Sequence, residues 1–390
     1  MRRQTTVIVL TEIELVEIFD RFVFSLGKTL LSFRRLFVSL PVMDSKMNLI
    51  AMDSMKGSLS SGEANEVVRQ TVTACWPDAR VVTIPVSDGG EGFLDAVAAA
   101  GTWQRVMVEV LDPLMRPIRA QFLIRGRTAV VEMAQASGLG LLKAEERSPL
   151  NTTTYGTGQL IAEAVRRGAE EIVVGLGGSA TSDCGRGALL ALNDELGEMP
   201  SVGITLATDV ESPLLGPSGA ARVFAPQKGA TAEMVEELER CAEEFACESA
   251  IRLGHDCRWQ PGSGAAGGLG YGLMQYLGAR RISGVDFILD HALCPEDSER
   301  LSLIITGEGK ADRQTLMGKV PMGILRRARP RGIPVMLVAG QVADCEALLQ
   351  AGFAQVRAIT PPEMQLRQAL QPDVARHNLR SAMSSMLGLL

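Results

Sequence analysis

Short apolar runs, most of them four to six residues long, alternate along this chain with longer stretches of helical periodicity, and glycine-rich polar loops join the two. Residues 48–51 and 81–86 read as strands on either side of a helix over 61–75, with Ser60 or Ser61 as its N-cap and Glu63 in its acidic first turn. The pattern then changes. Val106, Val108 and Val110, then Ala120, Phe122 and Ile124, then residues 129–132, alternate as antiparallel strands do. A helix ending at Arg167, a buried strand at 172–174, a helix containing 188–192 and a strand at 204–207 follow. Periodicity also predicts a long helix over 232–252 and a second one ending at Leu277. The βα rhythm returns at 303–306, with further strands at 334–338 and 355–359 and a helix after Pro321.

Strands in series after one βαβ unit, and a return of that unit near the end, predict one sheet interrupted by an inserted part. Residues 47–94 and 284–390 would form the first domain and 95–283 the second, with the cleft between them as the natural binding place. Residues 1–46 stand apart. They hold five of the eleven phenylalanines, and Glu12, Glu14 and Glu17 interrupt any signal-peptide core. Met47 directly precedes the first strand, so the stretch before it is expected to be an extension outside the fold.

Composition narrows the function. A formal net charge of −6, dispersed lysines and arginines, and only 4% aromatic residues argue against nucleic acid as a partner. Seven cysteines form no C-x-x-C pair, as expected of a reduced cytoplasmic protein. Three separated histidines make a zinc site or a Ser–His–Asp triad a poor fit. No apolar run is long enough to span a membrane, so no membrane partner is expected.

The candidate chemistry lies in the loops. After the strand at 172–174 come Gly175, Gly177 and Gly178, then Ser179, Thr181, Ser182 and Asp183, then a helix. Strand, glycine turn and helix aim backbone N–H groups and a helix dipole at an anion. The Gly175-x-Gly177-x-x-Ala180 spacing, with Asp194 or Glu195 downstream, is only a weak dinucleotide fingerprint, and Asp183 would repel a pyrophosphate without a cation. No Walker A loop is present: Gly27-Lys28-Thr29 has Phe22 at its upstream glycine position. Acids end the other strands too, at Asp53, Asp88, Asp209 and Glu308.

Seven loops taken in order resemble the bacterial glycerate kinase family. They are 53–58 (Asp-Ser-Met-Lys-Gly-Ser), 87–92 (Ser-Asp-Gly-Gly-Glu-Gly), 151–158 (Asn-Thr-Thr-Thr-Tyr-Gly-Thr-Gly) and 177–183 (Gly-Gly-Ser-Ala-Thr-Ser-Asp), continued by 226–229 (Pro-Gln-Lys-Gly), 261–268 (Pro-Gly-Ser-Gly-Ala-Ala-Gly-Gly) and 306–312 (Thr-Gly-Glu-Gly-Lys-Ala-Asp). The chain departs from that family at Met55, Ser182 and Cys184, usually phenylalanine, asparagine and glycine, and is shorter between Leu192 and Ile204. The resemblance implies an α/β fold of two domains, a flavodoxin-like parallel-sheet domain with a second mixed α/β domain inserted in it. It implies ATP-dependent, Mg²⁺-assisted phosphorylation of D-glycerate to 2-phosphoglycerate by a cytoplasmic monomer or homodimer.

Under that reading Asp53, Lys56, Asp88, Asp183 and Asp312 are the catalytic candidates. Gly177, Gly178, Ser179, Thr181, Lys228, Gly267, Gly268 and Lys319 would bind the nucleotide. Asp183, Asp209 and Glu308 would hold the metal, and Lys310 is a further cation for phosphate or carboxylate. Phosphorylation of the 3-hydroxyl, or of another small hydroxy acid, is the alternative within enzymes. A non-catalytic sensor of a small phosphorylated acid is the alternative outside them, but it could discard the acids that this chain keeps.

Overall fold

The computed structural model describes residues 47–388, so the extension expected at 1–46 lies outside the described residues. Eleven strands occur among them: β1 Met47–Met52, β2 Arg80–Thr83, β3 Gln104–Leu111, β4 Pro117–Arg125, β5 Thr128–Glu132, β6 Glu171–Gly175, β7 Gly203–Ala207, β8 Arg280–Ile282, β9 Leu301–Ala311, β10 Val335–Val342 and β11 Gln355–Ala358. They form two sheets. The first is ordered β2-β1-β9-β10-β11 and is parallel throughout. Numbered within that sheet this is the 2-1-3-4-5 order of flavodoxin-like folds, with its topological switch between β1 and β9. The second runs β3 to β8 in sequence order, antiparallel through β5 and parallel beyond it.

The central strands of the first sheet are apolar on both faces because helices cover both faces, whereas β3 and β4 alternate buried apolar with exposed residues. In the first sheet Leu49, Ala51, Ile304, Val335 and Leu337 face one core, while Ile50, Met52, Ile305, Met336 and Val338 face another. Helices Ser61–Cys75 and Pro372–Leu387 close the outer core. The inner core holds residues of helices Phe93–Ala99, Gly284–Ala292 and Val320–Ala328 together with Leu123, Val130, Val173 and Ala207 of the second sheet. A shared helical layer therefore lies between the sheets, and the described residues 47–388 form one compact unit. The far side of the second sheet is covered by helices Tyr155–Arg166, Arg186–Leu196 and Ala265–Leu277.

Local signals hold where they are chemical. Ser60 caps helix Ser61–Cys75 in a capping box: its backbone N–H donates to Glu63 Oε2 at 2.9 Å, and its hydroxyl accepts from Glu63 N. Three elements differ from the sequence expectation. Strand β2 ends at Thr83 instead of reaching Val86, and the second sheet is completed by β8, which pairs with β7 (Ala207 opposite Ile282) and whose Arg-Arg-Ile sequence carries no apolar run. Strand β9 continues through Gly307, Glu308 and Lys310, because β10 keeps pairing with it after β1 has ended (Glu308 opposite Ala339). Glu308 and Lys310 thus stand on a strand, not in a loop.

Candidate active site

The carboxyl ends of β1 and β9, where the sheet order reverses, are where an open α/β sheet leaves a crevice. Asp53 follows β1, with its backbone N–H bound to Gly307 O at 2.8 Å, and Glu308 follows Gly307 in β9. Asp88 joins them from the 87–92 loop. Burial, and then the Asp88 charge, push the Asp53 carboxyl from 3.8 up to about 8, while the Ser54 N–H and the Lys56 ammonium pull the other way. Asp209 enters from the end of β7. Burial first, then Asp88 and Asp286, raise it to about 7 against the Ser283 hydroxyl. Burial also raises Glu308, opposed by Lys319 (Nζ–Oε2 3.5 Å) and by the Thr315 hydroxyl donating at 2.6 Å. Four carboxyls from both sheets therefore share one electrostatic environment, with Lys56 and Lys319 as its cations.

Glycines allow this approach. A Cβ on Gly89 would meet Ala207 O, one on Gly284 would lie 2.7 Å from Asp88 C, and one on Gly177 would lie 2.4 Å from Gly90 Cα. The 87–92 loop of the first sheet thus seats directly on the ends of β6 and β7.

Beyond Gly177 lies the hydroxyl-rich loop. Gly178 is exposed and left-handed (φ +68°), and a Cβ there would make only ordinary contact, its nearest neighbour being Ala134 Cβ at 3.7 Å. Lys228 is buried, and its ammonium donates to Ser179 Oγ at 2.8 Å and to Thr181 O at 2.5 Å. Burial lowers it to about 7, against the attraction of Asp183. Thr181 Oγ1 and Ser182 Oγ are buried without a hydrogen-bond partner among the described residues. Two unpartnered hydroxyls beside a buried amine are a donor set suited to phosphate oxygens.

Several residues named from the sequence stand elsewhere. Asp183 is already saturated. Its Oδ2 accepts from Thr154 N and Thr154 Oγ1 (2.8 Å each), from Gly187 N (3.1 Å) and from Thr153 Oγ1 (3.3 Å), and its Oδ1 from Gly185 N (3.1 Å). The N-terminus of helix Arg186–Leu196, expected to face a bound anion, is thus occupied by the chain's own carboxylate. Asp312 pairs with Lys310 (3.2 Å) and accepts from Gln314 N (2.9 Å). Burial works upward on Asp312, but Lys310, Gln314 and Lys319 outweigh it and hold the carboxyl below its usual range. Gly267 and Gly268 make a close approach to protein: their Cβ positions would meet Thr181 O and Cys184 Cα. They shape the 181–184 turn, where Cys184 itself takes a left-handed φ of +56°.

Among the described residues no three His, Cys, Asp or Glu side chains converge on a metal position, so Asp183, Asp209 and Glu308 do not form one ligand set. Asp209 Oδ2 is nevertheless buried without a partner. That fits Mg²⁺, which takes one or two carboxylates and completes its shell with phosphate and water. Sequence reasoning passed over Glu132, Ser283, Asp286 and Thr315. Glu132 gave one signal, an acid ending an apolar strand; Ser283 and Asp286 gave another, the Ser-x-x-Asp spacing of a helix start before an apolar run; Thr315 gave none.

The fold and site define a two-sheet α/β protein with an acid-lined crevice beside a phosphate-type donor loop. A model of the glycerate kinase family matches residues 48–199 and 193–390. The chain is 38% identical to the glycerate kinase of Bacillus subtilis (strain 168), over 83% of this chain and 92% of that one. It is also 38% identical to glycerate 2-kinase of Escherichia coli (strain K12), over 76% and 85%. A crystal structure from Salmonella typhimurium LT2, described provisionally as glycerate kinase 2, superposes with a TM-score of 0.70 at 35% identity, covering 88% of this chain and 98% of that one. The chain belongs to the glycerate kinase family, and its fold class is the one expected from its sequence.

Proposed function

We propose that the protein transfers the γ-phosphoryl group of ATP to the 2-hydroxyl of D-glycerate, giving 2-phosphoglycerate and ADP. The observation that carries this reading is the group Asp53, Asp88, Asp209 and Glu308 at the switch point, with Asp53 held at about 8. A carboxyl poised near neutrality is matched to taking a proton from a hydroxyl as it attacks phosphorus. In this reading the substrate hydroxyl gives its proton to Asp53 and its oxygen bonds to the γ-phosphorus, while the bond to the β–γ bridging oxygen breaks. Lys228, Thr181, Ser182 and the open backbone at Gly178 hold phosphate oxygens, and Lys56 or Lys319 meets the glycerate carboxylate. Asp209 and Glu308 would hold Mg²⁺, which neutralises charge on the transferring phosphates. Asp183 serves as a helix cap in place of a metal ligand, and Asp312 as a partner for Lys310. A cytoplasmic setting goes with the use of ATP; no described helix is long and apolar enough to cross a membrane.

The test is a coupled ADP assay with ATP, Mg²⁺ and D-glycerate, with the product identified by phosphorus NMR. A signal from the 3-phosphate ester would move the reading to the 3-hydroxyl. Saturable glycerate binding with no ADP release would replace the enzyme reading with that of a sensor.

A further inference from the structure

Glu132, the last residue of β5, is a carboxylate 1% exposed and remote in sequence from every loop discussed above. Its Oε2 accepts from Leu94 N at 3.0 Å across 38 residues, and its Oε1 receives the Gln135 amide at 3.4 Å. Leu94 lies in the first turn of helix Phe93–Ala99, whose N-cap Gly92 is left-handed (φ +89°) and offers no side chain. A carboxylate of the second sheet thus supplies the cap that the helix lacks in its own sequence. The Gly92 N–H also favours its ionised form, whereas burial, the largest influence, raises the carboxyl.

The turn that this cap holds carries Asp88. Phe93 N donates to Gly90 O at 3.0 Å, and Gly90 N donates to Asp88 Oδ1 at 3.0 Å. Opposite Glu132 in the β5–β6 register stands Gly175, where a Cβ would lie 2.6 Å from both Gly89 O and the Phe93 ring. The strand ends leave a seat for the 87–93 segment, and Glu132 provides its polar tie.

We propose that Glu132 is a positioning residue for phosphoryl transfer: from the second sheet it fixes the turn that presents Asp88 to the acid group. The inference rests on the reading that Asp88 acts in the site. Burial raises this carboxyl, and the backbone hydrogen bonds that oppose burial come from the same turn, so the polar group is committed to holding the 87–93 segment.

The experiment is a double-mutant cycle between Glu132→Gln and Asp88→Asn on the full chain, with kcat, KM for ATP and thermal melting measured for each protein. Displacing a reacting group by about 1 Å costs up to roughly a hundredfold. Glu132→Gln is expected to lower kcat about ten- to a hundredfold, with KM for ATP within about threefold and cooperative melting retained. In the Asp88→Asn background the same substitution should change kcat by less than about threefold. Wild-type kcat in Glu132→Gln, or losses that multiply in the double variant, would overturn the proposal while leaving the role of Asp88 intact. Normal kcat in Asp88→Asn would overturn the site reading and this inference with it. If Glu132→Gln does not fold, Glu132→Asp, which keeps the charge but shortens its reach, is read in the same cycle. Failure of both to fold would overturn the proposal by showing that the carboxylate serves the fold alone.

Discussion

Replacing Asp53 by Asn should abolish most activity and yet stabilise the protein, and the structure sets both the size and the pH window of that gain. The carboxyl is raised from 3.8 to about 8, first by burial and then by Asp88. Between those values the folded state binds a proton that the unfolded state has released, so wild-type stability falls as pH rises through the window and levels off above about 8. Four pH units at about 1.4 kcal/mol each set an upper bound of roughly 5–6 kcal/mol. Local relaxation around the buried group brings the expected gain to roughly 2–4 kcal/mol at pH 9. Asn keeps the acceptor for the Ser54 N–H, which is 2.7 Å away. With an unfolding entropy of about 2.1 cal/mol/K per residue, 3 kcal/mol corresponds to about 4 °C for a unit of this size. The assay is thermal or urea unfolding of the ligand-free protein at pH 5, 7 and 9, beside turnover at pH 8. The stability difference should grow steadily from pH 5 to pH 9, and turnover should fall by about two to four orders of magnitude. A variant no more stable than wild type at pH 9, or with the same advantage at pH 5, would refute the placement of Asp53 among buried, charge-coupled groups.

Three further outcomes are expected. Asp88→Asn removes a charge that raises Asp53, so the acid limb of kcat/KM against pH should move about one pH unit lower; an unmoved limb would mean the two acids are not coupled in solution. Lys228 is lowered to about 7 by burial, so the folded state binds fewer protons than the unfolded state between about 7 and 10.5, and its cost is full below that window. Lys228→Met should therefore melt higher at pH 6 while KM for ATP rises at least about tenfold, and an unchanged KM would remove Lys228 from the phosphate site. Gly177→Ala forces a Cβ to within 2.4 Å of Gly90 Cα and should cost at least about 2 kcal/mol in urea unfolding, whereas Gly178→Ala meets only left-handed strain, about 1 kcal/mol; equal costs would contradict the seating of the 87–92 loop on β6.

Much of the architecture was legible because it is local. Short apolar runs such as residues 48–51 and 172–174, bounded by glycine-rich loops, read as buried strands, and the Ser60/Glu63 pair announces a helix start through its own hydrogen bonds. The order of seven loop motifs pointed to the family because each motif needs particular residue types at short spacing. Strand β8 and helix Gly284–Ala292 were missed. The Arg-Arg-Ile of β8 has no apolar run and is held by the edge of the second sheet, while the helix carries a start signal of its own, Ser283 capping Asp286 N, that sequence reasoning passed over.

The sequence by itself placed Asp53, Asp88, Asp183 and Asp209 in the polar segments that follow apolar runs, whereas Glu308 and Lys310 were decided by the pairing that carries β9 past them. The sequence could not determine their roles. Asp88 and Asp183 look alike in the chain, each an acid in a glycine-rich loop. Only packing separates them: the first meets Asp53 and Asp209 across two sheets, while the second accepts five hydrogen bonds, two from the N–H groups of Gly185 and Gly187 at a helix start and three from Thr153 and Thr154. Glu132 is the same lesson reversed, an ordinary strand residue that becomes a cap for a helix 38 positions away. Charge and hydrogen-bonding capacity belong to the residue and are written in the sequence. Desolvation and partnership depend on which other segments fill the space around it, and that is decided when the two sheets close on their shared layer.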